Sequence, residues 1–282
     1  MHGATDDGSR RDYGYWDEIE DAYMHEDKYQ QKTVSLSDRV RSIILGSLLG
    51  DGSLKVHRGY ANARFSFRHS KTQQEYFFWK AQELAAISAD SSVFHQKKDG
   101  FGTHDKLRYQ SCALLALTEL YRLTHKRGRF EISRHWLNLL TPLSLAIWWC
   151  DDGSIIGNGR KGVLCTDGFD EQSVERLARY LEVVWGVATH VGAVNRQRKY
   201  GEREYYRVWF GTEELKKFLR IILPHIPVAS MLKKTLLIYK DPQIQQRWIS
   251  EVVELSRFSL EDVERVIEVK RKQWPKTLQK MI

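Results

Sequence analysis

The hydrophobic and polar positions of the chain follow two periods in turn, which predict helices and short strands. In the run RFSFRH, which begins at Arg64, polar side chains alternate with phenylalanines, so a strand with one wet face and one buried face is predicted. Thr72 precedes an amphipathic stretch and is a suitable N-cap, which predicts a helix. The first half is predicted to contain, in order, a helix over 41–50, strands over 53–57 and 60–69, a helix over 72–87, strands over 91–98 and 105–111 that meet near Asp99-Gly100, and a helix over 113–123.

The same order of elements recurs in the second half. It is predicted to contain a helix ending near 152, strands over 154–157 and 161–166, a helix over 170–186, strands over 188–199 and 202–212, a helix over 212–223, a helical piece over 230–240, and a last helix over 259–274. Each half therefore follows an α-β-β-α-β-β-α order. The chain is predicted to be an α+β protein with two pseudo-symmetric repeats and antiparallel sheets.

The repeat also predicts where the chain divides. The predicted boundaries are an acidic N-terminal extension over 1–36, a first repeat over 37–140, a second repeat over 141–240 and a C-terminal helical extension over 241–282. The N-terminal segment has few aliphatic residues, so we expect it to be flexible.

Charge is distributed unevenly over the 282 residues. The formal net charge is +8, but residues 1–30 carry a net charge of −6, so the other 252 residues carry +14. A body that basic indicates a polyanionic partner, most simply nucleic acid, with solubility alone as the alternative explanation.

Other features of the composition indicate the environment of the chain. It has no run of about 18 uninterrupted apolar residues, so we expect no membrane span. Its three cysteines show no CxxC spacing, which favours reduced thiols over a zinc site. We therefore expect an intracellular, reducing compartment, either the cytoplasm or an organelle matrix.

Two apolar segments end in an acid followed by Gly-Ser. Asp51 and Asp152 occupy this position 101 residues apart, each at the end of the first helix of its half. The partial negative charge at a helix C-terminus repels a carboxylate by up to about 1 kcal/mol, and a bound divalent cation would reverse that penalty. Carboxylates and the last helix carbonyls are oxygen ligands that suit Mg²⁺, with Mn²⁺ as a substitute. The alternative is a turn after each helix, with Gly52 and Gly153 as left-handed caps.

Basic and amide side chains collect on the predicted strands of both halves. Alternating polar residues on antiparallel strands predict a sheet with one face packed on helices and one basic face. Such a face fits a DNA major groove, where Arg and Lys read guanine and Gln and Asn read adenine; the alternative is an ordinary solvated sheet. The candidate DNA-binding residues are Arg64, Ser66, Arg68, Gln96, Lys98, Lys106, Arg108, Gln110, Asn195, Gln197, Lys199, Arg203 and Arg207.

The segments ILGSLLGDG, starting at Ile44, and LAIWWCDDG, starting at Leu145, resemble the paired motifs of the LAGLIDADG homing endonucleases. The resemblance is to the single-chain, two-repeat kind and covers about residues 38–240. It implies a pseudo-twofold monomer in which the two motif helices pack together and two β-sheet saddles hold double-stranded DNA. The first motif has small residues at Gly46 and Gly50 where the second has bulky ones, so asymmetric helix packing is expected.

The resemblance also implies roles for individual residues. The acid before each motif glycine is the metal ligand of the family, which corresponds to Asp51 and Asp152. The carbonyl of Gly50 would also be a ligand, and Asp151, at the position of a small residue, is a weaker candidate.

The family further places a basic residue near each active centre. Lys234 matches this feature in the second half, whereas the first half offers either Lys126 or Arg129. A polar residue that often follows the second strand corresponds to His69 and Asp167.

The function implied is a site-specific, divalent-metal-dependent endonuclease that hydrolyses both strands of a long asymmetric DNA target. One alternative is a maturase that binds intron RNA, since the same fold is used in that way. A cleavage-inactive DNA-binding protein is a third possibility, which the two intact acids argue against.

Overall fold

A computed structural model describes residues 34–97, 104–157, 159–198 and 201–273. The α-helices in these ranges are α1 (Asp38–Leu48), α2 (Gln74–Glu83), α3 (Leu115–Thr124), α4 (Arg134–Leu137), α5 (Pro142–Asp152), α6 (Glu171–Trp185), α7 (Thr212–Ile222), α8 (Pro242–Leu255) and α9 (Leu260–Gln273). The strands are β1 (Gly52–Lys55), β2 (Arg64–Ser70), β3 (Val93–Gln96), β4 (Lys106–Gln110), β5 (His125–Lys126), β6 (Arg129–Phe130), β7 (Gly153–Ile156), β8 (Lys161–Leu164), β9 (His190–Arg198) and β10 (Gly201–Phe210).

Two four-stranded antiparallel sheets form the framework. Their strand orders are β1-β2-β4-β3 and β7-β8-β10-β9, so the second sheet repeats the topology of the first. Helices α1, α2 and α3 accompany the first sheet in the chain, and α5, α6 and α7 accompany the second. The predicted α+β class and the αββαββα order of both halves are therefore confirmed. The exact repeat boundaries stay predictions.

Some of the predictions fall outside the described residues. These are the acidic extension as far as residue 33, the turn at Asp99-Gly100, and the candidate DNA contacts Lys98 and Lys199.

The structure departs from the predicted elements in several places. Helices α4 and α8 are absent from the predicted order of elements, although α8 falls in the predicted C-terminal helical extension. The segment predicted as a helical piece is a 3₁₀ turn over Ala229–Lys234, followed by non-helical backbone. Its carbonyl groups bind side-chain donors from other helices instead of continuing a helical ladder. An additional hairpin joins β5 to β6 through Arg127 and Gly128, which both have positive φ. Strands of two residues are too short for a two-residue period to reveal.

Helices α1 and α5 pack against each other at very short range. A Cβ atom added to Gly46 would lie 2.3 Å from the carbonyl oxygen of Ser144, and one added to Gly50 would lie 2.5 Å from Cβ of Asp151. The close approach depends on glycines of α1 and its C-terminal turn, while α5 places the fully buried Trp149 in the core of the second half. The packing is therefore asymmetric, as the two motifs predict.

The glycines after the two acids are not left-handed helix caps. Gly153 is extended, with φ −75°, and Gly52 is not among the glycines with positive φ in the described chain. Each glycine instead allows a close contact: an added Cβ would lie 2.3 Å from the ring of Trp149 at Gly153 and 2.7 Å from Cβ of Ser47 at Gly52. This form of the turn alternative is therefore wrong.

Two observations bear on the expected environment. None of the described helices is long and apolar enough to cross a membrane. Cys112, Cys150 and Cys165 are free thiols.

Candidate nuclease site

The packed ends of α1 and α5 bring the candidate acids to one place. Asp152 is the last residue of α5, and Asp51 follows the end of α1 by three residues. The backbone N–H of Asp51 donates to Oδ2 of Asp151 over 3.4 Å, although 100 residues separate them. Two acidic motifs far apart in sequence therefore meet at one site.

His69 of β2 orients the first acid. His69 is 3% exposed, and its Nδ1 lies 3.3 Å from Oδ2 of Asp51. Burial opposes ionisation of Asp51, but the hydrogen bond and charge of His69, together with the charges of Lys80 and Lys234, outweigh it and lower the pKa of Asp51. The side chain of Asp51 is 41% exposed. Asp51 is therefore an ionised carboxylate open to solvent.

The environment of Asp152 has the opposite effect. Burial is the largest cause that raises the pKa of Asp152 to about 8, followed by the charges of Asp51 and Asp151, while Lys234 acts in the other direction. Three neighbouring carboxylates repel one another, and a divalent cation is the group that relieves such repulsion.

Asp151 is held by donors from the first half. Its side chain is fully buried, as is that of Lys80. The Nζ of Lys80 lies 2.8 Å from Oδ1 and 3.1 Å from Oδ2 of Asp151, and the hydroxyl of Tyr76 donates to Oδ1 over 2.8 Å. Burial, and then the charge of Asp151, raise the pKa of Tyr76 well above its usual range. Because both oxygens already accept hydrogen bonds, this geometry favours an anchoring role for Asp151 over the predicted ligand role.

Lys234 lies at the C-terminal end of α5. Its Nζ donates to the carbonyl oxygen of Cys150 over 2.6 Å and to that of Asp151 over 3.1 Å. A cation in this position is stabilised by the helix dipole and satisfies carbonyls that have no partner within the helix. The structure therefore places the predicted second-half cation next to Asp152.

The two first-half cation candidates lie elsewhere. Lys126 and Arg129 pair with each other across the β5–β6 hairpin, and both are exposed. The first-half side chains that lower the pKa of Asp51 are those of His69 and Lys80 instead. The tight turn of the hairpin directs its basic side chains to solvent, so the predicted choice between these two residues is replaced by groups from β2 and α2.

The donor set of the site fits a divalent cation. Asp51, His69 and Asp151 each offer one ligand atom, and these atoms lie within 4.8 Å of one another. Asp152 and the carbonyl of Gly50, which the sequence predicts as further oxygen ligands, belong to the ends of the same two helices. Carboxylate and carbonyl oxygens are ligands that suit both Mg²⁺ and Mn²⁺. The individual ligand assignments stay predictions.

The register of the first sheet places all of its described candidate DNA contacts on one face. Phe67 and Tyr109 occupy the opposite face, where the ring of Phe67 packs on Phe77 of α2. The face without these aromatic residues is called here the first polar face; it carries Arg64, Ser66, Arg68, Gln96, Lys106, Arg108 and Gln110.

The register of the second sheet divides its candidates. Arg203 pairs with Arg196, and the two-residue alternation puts Arg207 on the same face, which is called here the second polar face. Asn195 and Gln197 lie on the opposite face, the one whose continuation packs against α7. The prediction that they read adenine beside the arginines therefore conflicts with the strand register.

Three of the predicted DNA contacts are buried. Gln110 is 6% exposed. Arg64 is 4% exposed, with its guanidinium 4.5 Å from the ring centre of Tyr60. Arg207 is 8% exposed and donates to both oxygens of Asp167, over 2.6 and 2.7 Å, and these hydrogen bonds raise its pKa. Asp167 also lies 3.4 Å from Arg196. Arg207 therefore holds the loop after β8, whereas Arg196 remains 44% exposed on the same face.

The sequence pattern did not reveal two lysines that the structure places at the site or behind it. Lys80 follows Tyr76 by four residues on the buried side of α2. Lys270 follows the buried Val263 by seven residues and the buried Ile267 by three, on the inner side of α9. A lysine on the apolar stripe of an amphipathic helix is the pattern that could have identified both.

Comparisons with known proteins agree with this architecture. The chain is 28% identical over 267 residues to protein RecA of Mycobacterium gastri, which covers 88% of this chain and 59% of that protein. It is 24% identical over 203 residues to the cytochrome b mRNA maturase bI2 of Debaryomyces hansenii, covering 71% of this chain and 74% of that protein. The chain thus spans only part of the length of the RecA proteins it matches, 59% for M. gastri and 52% for Mycolicibacterium flavescens.

The fold has a counterpart among solved structures. It resembles the homing endonuclease I-WcaI bound to its DNA recognition sequence, with a TM-score of 0.61 and 19% identity, over 75% of this chain and 92% of that chain. Residues 41–218, which include both acids and both sheets, match the LAGLIDADG DNA endonuclease family. The chain therefore belongs to the LAGLIDADG DNA endonuclease family.

Proposed function

We propose that this protein is a site-specific endonuclease that cuts both strands of a long, asymmetric DNA target with the help of divalent metal ions. The observation that carries the proposal is the meeting of Asp51 and Asp152 at the packed ends of α1 and α5, with Lys234 beside them. We also propose that it acts as a monomer, because one chain supplies both acids and both sheets.

The residues of the site have different roles in the proposed hydrolysis of phosphodiesters. A bound Mg²⁺ would lower the pKa of a water molecule and neutralise charge on the phosphate. His69 keeps the carboxylate of Asp51 ionised and oriented, and Lys80 neutralises the buried Asp151 so that the neighbouring acids can stay close together. The ammonium of Lys234 supplies positive charge for a scissile phosphate at the end of α5.

The two polar faces support an asymmetric DNA target. The first carries Arg68, Lys106 and Arg108, whereas the second carries Arg196 and Arg203 with different neighbours. Because the two halves present different side chains, a pseudo-twofold protein of this kind would read two different half-sites.

A cleavage selection on a randomised duplex library, with Mg²⁺ and with EDTA, tests the proposal. We expect cut products only with Mg²⁺. Asp51→Asn and Asp152→Asn should each abolish cutting of the selected target and leave its binding largely intact. Asp38→Asn is the matched control, because Asp38 is a 95% exposed carboxylate at the other end of α1. Cleavage in EDTA, or full cleavage by both site variants, would refute the metal-dependent mechanism.

A maturase is the second candidate function, favoured by the similarity to cytochrome b mRNA maturases bI2 of Debaryomyces hansenii and Saccharomyces cerevisiae. The polar faces also suit a phosphate backbone of RNA. Competition between the selected DNA target and structured RNA separates the two functions. Preference for RNA, with no selected DNA site, would favour the maturase.

A further inference from the structure

We propose that the C-terminal helix α9 braces the active site, with Lys270 as a positioning residue that acts through Lys234. This inference rests on the role proposed above for Lys234 and adds to it a second lysine, which donates to backbone carbonyls of the segment that carries Lys234.

Lys270 donates hydrogen bonds to the backbone on both sides of Lys234. Its Nζ donates to the carbonyl oxygen of Lys233 over 2.9 Å and to that of Leu236 over 2.6 Å. These two carbonyls flank Lys234, so a single ammonium spans the segment that carries it.

The other side of the segment is fixed by α5. The indole Nε1 of Trp149 donates to the carbonyl oxygen of Lys234 over 2.7 Å, while the Nζ of Lys234 donates to Cys150 and Asp151. The 3₁₀ turn ends at Lys234, and side chains from α5 and α9 supply donors to the carbonyls at this end. A displacement of this backbone would move the Lys234 ammonium away from the end of α5.

The free-energy cost of removing the Lys270 ammonium from water indicates that its hydrogen bonds account for its position. Burial lowers the pKa of Lys270 to about 8, so removing its ammonium from water costs free energy. Its two acceptors are neutral carbonyls, whereas other charges of α9 are paired at the surface, Lys272 with Glu268 for example. A methionine would fill the same space without that cost. Val263 and Ile267 are buried and hold α9 next to the segment that carries Lys234.

The brace lies outside the part of the chain that matches the family. That match ends at residue 218, before Lys234, α8 and α9. The C-terminal extension is thus attached to the segment that carries Lys234 through Lys270 of α9. Gln245 of α8 holds the end of the same segment, because it accepts from the N–H of Tyr239 and donates to the carbonyl of Leu237.

Single-turnover cleavage of the selected target, with enzyme in excess and Mg²⁺ present, tests the inference. Lys234→Met should slow cleavage at least a hundredfold and Lys270→Met at least tenfold, with target affinity in EDTA changed less than twofold. The double variant should cleave no more than threefold slower than Lys234→Met alone, because Lys270 acts only through Lys234. Lys270→Arg, which keeps donors, should recover most of the rate.

A second readout separates positioning from general loss of stability. Amide hydrogen exchange over residues 229–239 should become faster in Lys270→Met than in Ile267→Val, a variant that loosens the same helix but keeps the lysine and should keep the wild-type cleavage rate. Lys270→Met that cleaves within threefold of wild type, unchanged exchange in that segment, or a double variant that loses the product of the two single losses would overturn the inference. If Lys234→Met cleaves at the wild-type rate, the proposed role of Lys234 itself has failed; if it is slow while Lys270→Met is normal, only the brace has failed.

Discussion

Replacing Lys80 by methionine is expected to destabilise the protein more than most single substitutions do. Lys80 and Asp151 are both fully buried, and their charged atoms lie 2.8 Å and 3.1 Å apart. The pair joins α2 of the first half to the end of α5 in the second. Methionine fills the space of the lysine but leaves the carboxylate of Asp151 without its cation.

The size of the loss follows from the geometry. Two unit charges at this separation attract by about 6 kcal/mol at an effective dielectric constant of about 20, and removal of one partner of a buried pair typically costs about 3–5 kcal/mol. Tyr76 still donates to the same carboxylate over 2.8 Å, and the acid can take up a proton, so we expect about 3 kcal/mol.

Urea unfolding of the metal-free protein at neutral pH measures this loss. The double variant Lys80→Met, Asp151→Asn removes both charges and should recover much of it, because a neutral amide can remain hydrogen-bonded to Tyr76. Lys217→Met is the control, since that lysine is 53% exposed in its pair with Glu214 and should lose less than about 1 kcal/mol. A loss below about 1 kcal/mol in Lys80→Met, or a double variant as unstable as the single one, would show that the buried pair does not hold the two halves together.

Two further predictions follow from the strand register and from the half-buried lysine of α9. Arg196→Ala should weaken binding of the selected target by about 1–3 kcal/mol if Arg196 reads a base. Gln197→Ala, one residue away on the opposite face, should change the binding free energy by less than about 0.5 kcal/mol. Equal losses in a binding titration would contradict the assigned faces. Between pH 8 and its ordinary pKa of 10.5, Lys270 binds fewer protons in the folded state than in the unfolded state. The unfolding free energy of the wild type should therefore rise with pH relative to that of Lys270→Met over this range. A difference between the two proteins that stays constant or falls in urea titrations would refute the prediction.

Local patterns in the sequence predicted most of the elements and the two candidate catalytic acids. The alternation that starts at Arg64 predicts β2, and the acid-Gly-Ser repeat identifies Asp51 and Asp152 without knowledge of any contact. Such features are readable because a helix or strand period depends on neighbours a few residues away, and because a duplicated motif can be compared with its own copy.

The composition of the site depended on packing that no local pattern records. Lys80 and Asp151 are 71 residues apart in the chain, and their contact exists only because α1 and α5 pack closely enough to bring α2 to the end of α5. Likewise, Lys126 and Arg129 matched the expected place for a cation in sequence but lie on a hairpin directed to solvent.

The faces of the strands also required the tertiary structure. Asn195 and Arg203 both read as polar strand residues, but the β9–β10 register puts them on opposite sides, and a shift of one residue would have reversed the assignment. The sequence by itself therefore determined the repeated order of helices and strands in the two halves and which acids end the motif helices. The tertiary structure decided which cations reach those acids, because an ion pair or a strand face depends on distances between residues that are far apart in the chain.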